Sequence, residues 1–414
     1  MKYISSGHGE FPFISLIAIL SVSLAVNLPG MAISPLLGDL TKVFPTASHL
    51  EIQLLSILPN FVVIPFVLLS GKLAESKSQT GLLFIGLTIF LGSSFVYFFA
   101  HSMVTLIWIS CVLGLGCGLI VPIANGLLAQ YFTGKQRMVM MGVQSGVANF
   151  TLIIATVVVG WLGSINWHLP FIVYMVPVIP LVLMGFMSDK FIKKYSVEDT
   201  VKATDTETKA SDAGLHFVGK NRMALLWGLI LLYFFSTVGN LVITYYVPFR
   251  ISDSTEVGII TSLFYLGVTV SGFILTQYVR SFKHLSMFLA FVIFGVGLYL
   301  LLISHTTFIY ILSAVLAGVG YGIIQPFIYT KVTYLSPSPN KTTKYLAFIL
   351  ATNYVACSCA PFVFTAIEDV FRDHSQLIPF WSAAIFITIM AVLSIVFYKS
   401  YLFRVNLDNY AKKS

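Results

Sequence analysis

The stretch Gly114-Leu115-Gly116-Cys117-Gly118-Leu119-Ile120-Val121-Pro122 returns 204 residues later as Gly318-Val319-Gly320-Tyr321-Gly322-Ile323-Ile324-Gln325-Pro326. The same offset of 204 carries Arg137 onto Lys341 and Asn149 onto Asn353, and an offset of 205 carries Glu51 onto Glu256. Chance can produce one glycine cluster. A cluster, a basic loop and an asparagine in common register imply an internal duplication. The first copy lies in a run from Met103 to Phe132 with 30 residues and no formal charge, and Leu82 to Ala100 adds another 19. About 18 to 20 apolar residues span hydrocarbon as a helix. Runs rich in Leu, Ile, Gly and Phe lack the period-two alternation of a barrel strand, so the duplicated units are bundles of membrane helices. Inside such a span, Gly-x-Gly-x-Gly has no preceding soluble strand and does not read as a dinucleotide loop. The four-residue spacing of Gly114 and Gly118 suits close helix packing instead.

Composition agrees. Of 414 residues 57% are hydrophobic and 10% charged, against roughly 25% charged in a soluble domain. The formal net charge of +8 does not indicate nucleic acid, because the cations concentrate in short loops between apolar runs. Cys111, Cys117, Cys357 and Cys359 all lie within apolar runs, and Cys357 and Cys359 point to different sides of a helix, so packing is their expected role. The eight histidines show no metal-ligand spacing. No cofactor is expected.

Twelve helices are expected, at about 11–36, 50–72, 80–100, 104–131, 137–162, 167–189, 222–249, 256–279, 284–304, 307–331, 343–367 and 376–399. Residues 190–221 hold 11 of the 40 charged residues and read as a polar linker. The chain therefore divides into a six-helix half over 1–189, the linker 190–221, and a second six-helix half with a short tail over 222–414. With both termini cytoplasmic, 21 of the 24 Lys and Arg, Lys331 among them, fall in inner loops and tails; Lys42, Arg250 and Arg372 are the exceptions. The first span has no basic region before it and no small-residue cleavage site after it, so it is expected to remain as a helix.

Gly71-Lys72-Leu73-Ala74-Glu75-Ser76-Lys77, between the second and third helices, resembles the major facilitator signature G-x-L-a-D-r, with Glu75 at the aspartate. Trp167-His168-Leu169-Pro170-Phe171 is similar to the family's W-R-x-x-F after helix five. The resemblance covers the whole chain in architecture, and its parallel six-helix repeats are the layout of that superfamily. It implies an all-α integral membrane protein with the major facilitator fold, a conformational latch at Gly71, Leu73 and Glu75, and a cavity lined by helices one, four, seven and ten. It leans towards the bacterial drug and solute exporters. Two motifs of their proton-coupled members are replaced: Ser110 or Val112 stands at the helix-four arginine, and Thr156-Val157 at the helix-five Gly-Pro.

The middle of every expected span lacks ionisable residues but carries amides. A buried amide must be paired or line a wet cavity. Asn149 and Asn353 occupy equivalent positions in the two halves. By the family analogy Asn27, Asn240, Tyr321 and Gln325 face the cavity. These six are the expected substrate-binding residues, and an aromatic and amide lining suits a neutral or amphipathic organic solute. Glu51 and Glu256, at helix starts, are the coupling candidates if protons drive the cycle; helix capping is the competing role. No GxxxxGK[ST] loop for ATP is present.

The expected activity is thus secondary transport by alternating access, as an exporter working as a monomer in the bacterial cytoplasmic membrane. Its partners are a small-molecule substrate and the lipid bilayer. An importer or facilitator of a sugar-like nutrient is the alternative on the same fold. A membrane-embedded enzyme would need a nucleophile, a metal or an acid–base set at one depth, and the sequence offers no such cluster. The topology predicts that single cysteines placed at Ser211 and at Ser375 react with an impermeant thiol reagent from opposite faces of the membrane; labelling from one face would refute it.

Overall fold

A computed structural model describes residues 3–5, 10–76, 78–131, 134–184, 222–304, 306–335, 339–372 and 377–404. The chain forms two units, Met1–Asp212 and Ala213–Ser414. The expected linker 190–221 and the Arg137 and Lys341 side chains lie outside the described residues.

The first unit opens with a two-stranded antiparallel hairpin that the sequence reading did not anticipate, β1 (Tyr3–Ser5) and β2 (Glu10–Pro12). The first span, expected as one helix over 11–36, is broken. It runs as α1 (Phe13–Val22), a 3-10 turn Ser23–Ala25, α2 (Leu28–Met31), a second turn Ser34–Leu36 and α3 (Leu37–Val43). Pro29 and Pro35 explain two of the restarts: each stands in the first turn of a new segment, where a missing N–H costs nothing. Then follow α4 (His49–Ser76), α5 (Gln79–Val96), α6 (Met103–Tyr131) and α7 (Gly134–Ile165). The sixth span begins as a 3-10 segment, Leu169–Met175, and continues as α8 (Val178–Leu183); Pro170, Pro177 and Pro180 interrupt the regular ladder.

The second unit is more regular: α9 (Arg222–Arg250), α10 (Ser254–Phe282), α11 (Ser286–Leu302), α12 (Thr307–Leu335), α13 (Pro339–Phe371) and α14 (Ile378–Val396). Among the described residues, eleven helical stretches are long and apolar enough to cross a bilayer, and Leu169–Leu183 is a shorter twelfth. Outward-facing side chains confirm the solvent. Phe273 is 82% exposed, Phe308 72% and Trp108 68%. A water-soluble protein does not tolerate apolar surface on that scale, whereas hydrocarbon requires it.

The repeated glycines set the packing in both units. A Cβ on Gly114 would lie 2.5 Å from the Pro59 carbonyl oxygen, and one on Gly118 2.7 Å from Phe66 Cβ, both on α4. Gly116 faces the other way, and its Cβ would lie 2.8 Å from the Phe90 backbone nitrogen on α5. The second copy does the same. Gly318 abuts the Phe264 carbonyl and Gly322 the Ser271 hydroxyl, both on α10, while Gly320 would meet the Phe294 backbone nitrogen on α11 at 2.6 Å. Alternate glycines thus let α6 and α12 each touch two neighbours at backbone distance.

Lys331 is not the loop residue expected. It stands in α12, two residues past the apolar stretch Thr307–Tyr329, and is 9% exposed. Its ammonium donates to the Tyr401 carbonyl at 2.8 Å and to the Arg404 carbonyl, and lies 4.6 Å from the centre of the Tyr401 ring. The Tyr401 hydroxyl returns a bond to the Lys331 carbonyl at 2.9 Å. This exchange ties the turn after α14 to the end of α12. Burial, with the nearby Arg404 charge, lowers the lysine pKa to about 8.

Gly116→Val and Gly320→Val should each cost about 3 kcal/mol or more, because backbone cannot give way. Gly92→Ala and Gly272→Ala, where an added Cβ meets nothing within 4 Å, should change stability by less than about 1 kcal/mol. Unfolding temperatures in detergent read both. Lys331 supplies a second test. Between about pH 8 and its ordinary 10.5 the unfolded chain keeps a proton that the folded chain has released, so stability rises with pH across that window. The unfolding temperature should therefore rise relative to that of Lys331→Met between pH 7 and 9.5; parallel curves would exclude the titration.

Candidate substrate-binding site

In the second unit one helix is buried on every side through its second half. Thirteen consecutive residues of α9, Ser236 to Pro248, are buried. A helix enclosed in this way is normally apolar throughout, yet one face of α9 carries Tyr233, Thr237, Asn240 and Thr244 at spacings of four, three and four. Helix α12 answers with Tyr321, Gln325 and Tyr329 at four-residue steps, and α13 adds Asn353.

These groups form a connected network. The Gln325 amide nitrogen donates to the Tyr233 hydroxyl at 3.0 Å and to the Tyr329 hydroxyl at 3.1 Å. The two hydroxyls are 2.9 Å apart, and Tyr233 donates to Asn353 Oδ1 at 3.3 Å. The proton count closes if Tyr329 donates to Tyr233, with both Gln325 amide hydrogens used. The Gln325 carbonyl oxygen and the Asn353 amide hydrogens then take no part in the network. One turn further along α9, Thr237 and the Tyr321 hydroxyl lie 3.2 Å apart. Beyond them comes Asn240, 6% exposed, whose Oδ1 is buried without a partner among the described residues. Such an orphan costs about 1 to 3 kcal/mol unless a water or another molecule supplies a donor.

Four of the six expected residues, Asn240, Tyr321, Gln325 and Asn353, thus lie on this set of three helices in one unit. Tyr233, which joins three of the network's members, was missed. Its signal was the polar stripe itself, because Tyr233 precedes Thr237 by four residues and Asn240 by seven on the same helix face. Asn27 and Asn149 belong to the first unit. Asn27 occupies the break before α2, and that broken span packs against α7, which carries Asn149. The backbone groups freed there find partners. The Cys117 thiol donates to the Val26 carbonyl at 3.5 Å, and the Tyr174 hydroxyl to the Pro29 carbonyl at 3.3 Å. Asn60 turns its amide onto the Ser56 carbonyl at 3.0 Å and packs against Gly30.

The two carboxylates differ. Glu51 accepts from the Ser48 backbone at 2.6 Å while Ser48 Oγ accepts from the Glu51 backbone at 3.2 Å, a reciprocal capping box at the start of α4. Glu256 does not cap α10; its Oε1 accepts from Thr307 on α12 at 3.1 Å. Gly71 and Glu75 of the expected latch fall among side chains outside the described residues, and Leu73 is half-buried near the end of α4. Among the described residues no group of three His, Cys, Asp or Glu could hold a metal ion.

Two bundles of apolar helices built on one glycine pattern, with an uncharged hydrogen-bonded site inside the second, define a polytopic membrane protein suited to handling an organic solute. Comparison with known proteins gives the family: the Major Facilitator Superfamily profile matches residues 15–253 and 250–412. The chain belongs to that superfamily, whose members are membrane transporters rather than enzymes. It is 28% identical over 157 residues to the multidrug transporter protein MdtP of Bacillus subtilis (strain 168), covering 37% of this chain and 27% of that protein. It is 25% identical over 114 residues to the quinolone resistance protein NorA of Staphylococcus aureus, covering 28% of this chain and 29% of that one. The chain thus spans under a third of the length of either relative. In structure it is similar to the inward-open xylose transporter XylE from E. coli, at a TM-score of 0.70 with 14% identity, over 94% of this chain and 96% of that one.

Proposed function

We propose that this protein exports a small, neutral or amphipathic aromatic solute across the bacterial cytoplasmic membrane by alternating access, as a monomer with both termini in the cytoplasm. The observation that carries the substrate class is the network of Tyr233, Gln325, Tyr329 and Asn353 with the orphan amide of Asn240 beside it. Its chemistry is uncharged throughout. Tyrosine rings offer stacking faces and the amides offer donors and acceptors, so an apolar ring bearing a hydrogen-bond donor would be held without a formal charge being buried. A solute with a fixed charge would pay desolvation there with no counter-charge. The partial likenesses to MdtP and NorA support the outward direction, since export is how such a protein would lower a drug's concentration inside the cell.

Uptake of an uncharged fluorescent hydrophobic dye and of an uncharged aromatic drug into everted membrane vesicles tests this reading. Export predicts accumulation in everted vesicles and depletion from whole cells. Asn240→Ala and Gln325→Ala should each lower flux about tenfold or more, while Asp39→Asn, at the exposed Asp39–Lys42 pair, should leave it unchanged. Flux that survives both alanine substitutions would move the site elsewhere. Accumulation by whole cells in place of everted vesicles would make the protein an importer.

A further inference from the structure

Ser48 and Glu51 have their repeat counterparts 205 residues on at Asp253 and Glu256, so both units begin a helix with the sequence of a capping box. Only the first forms one. In the second, the Asp253 carboxylate accepts from the Thr255 backbone at 2.9 Å, but Glu256 gives up the cap and turns to Thr307. There it lines a cavity of 420 Å³ with Arg250, Ser252, Ser304, Thr307 and Tyr310, between the end of α9, the start of α10, the end of α11 and the start of α12.

The cation in this cavity is held rigidly. One Arg250 nitrogen donates to the Leu301 carbonyl at 2.7 Å, and the guanidinium carbon lies 5.7 Å from the centre of the Tyr310 ring and 5.2 Å from that of Phe380. These contacts fix the plane of the guanidinium but engage one of its five N–H donors. Among the described residues the one ion pair is Lys42–Asp39, so Arg250 and Glu256 share the cavity without pairing. An arginine and a carboxylate in one concave space, each anchored by a neutral group and not in direct ion-pair contact with each other, form a two-point charge template. A guanidinium fork matches a carboxylate, and the Glu256 carboxylate matches an ammonium.

We propose that this cavity, at the opposite end of the second unit from Lys331, binds a small zwitterion, its carboxylate on Arg250 and its ammonium on Glu256. The site is separate from the uncharged network and does not rest on the export reading.

The test uses the full chain in lipid nanodiscs and a ladder of ω-amino carboxylates from glycine to 6-aminohexanoate, with pentanoate and pentylamine as single-charge controls. Ligand-observed NMR titration measures each affinity. One ladder length should bind at least about tenfold more tightly than either control, because two charges must be matched at once. Glu256→Gln should bring that member down to the level of the controls, Arg250→Gln should do the same, and Thr307→Val should weaken it a few-fold by freeing the carboxylate. If Arg250→Gln does not fold, Arg250→Lys takes its place and should lose affinity with the fork. The proposal is overturned if no ladder member exceeds the controls, or if the tightest binding is indifferent to Glu256→Gln. It is also overturned if Asn240→Ala abolishes the binding, because the ladder compound would then occupy the export site. Export that fails its own test while zwitterion binding persists would leave this site standing.

Discussion

The closest constraint in this protein is backbone against backbone. Helix α6 cannot lie where it does unless Gly114 and Gly118 leave room for α4 and Gly116 leaves room for α5; α12 depends in the same way on Gly318, Gly320 and Gly322. In lipid no hydrophobic force draws helices together, since hydrocarbon solvates their side chains as well as a neighbouring helix does. Contact area at short range has to supply the attraction, and glycine on alternating sides supplies it to two neighbours at once. Glycine normally costs helix stability. Here that cost is offset because the backbone hydrogen bonds have nowhere else to go in hydrocarbon.

The same constraint positions the uncharged network. Tyr321 and Gln325 follow Gly318 and Gly322 on α12, so the turns that are locked against α10 and α11 also carry the side chains that meet Tyr233 and Thr237 of α9. Hydrogen bonds between membrane helices are individually modest, about 0.6 kcal/mol on average. Their geometry is therefore set by the helix packing that supports them. A connected set, with both hydroxyls and the Gln325 amide hydrogens assigned, holds two aromatic rings and two amides in fixed orientation.

Much of this was legible in the sequence, for identifiable reasons. Membrane helices announce themselves through long uncharged runs, and the duplication through glycines whose spacing is sterically required. The four expected residues on α9, α12 and α13 stood out because a polar side chain in an apolar run is costly enough to need a reason. What stayed hidden depends on direction and not on identity. Ser48-Glu51 and Asp253-Glu256 are repeat counterparts, and only the folded arrangement makes one glutamate part of a cap and the other a cross-helix contact. Tyr233 was overlooked although it stands four residues before Thr237 and seven before Asn240 on one helix face. Lys331 was assigned to a loop because a cation at the end of a span normally snorkels to water, whereas this one is held by carbonyls of the turn that follows α14. The breaks in the first span were likewise missed, since a prolyl residue shows where a helix can restart but not that its neighbours will accommodate the interruption.

The two units have diverged in where they place their polar burden. The first breaks the backbone itself: α1 to α3 are short segments whose freed carbonyls at Val26 and Pro29 are taken by Cys117 and Tyr174. Its polar burden thus includes main-chain atoms at these breaks, beside buried side chains such as Gln53, Asn60 and Gln144. The second keeps its backbone whole through the buried part of α9 and carries its polarity on side chains. A broken helix can bend at low cost because its ladder is already interrupted, while a continuous one holds its side chains in fixed register. Recognition chemistry gains most from rigid support, and conformational change needs elements whose hydrogen bonds can be exchanged without loss. The duplicated fold thus keeps a continuous helix behind the connected aromatic and amide network in one unit and divides the first span of the other.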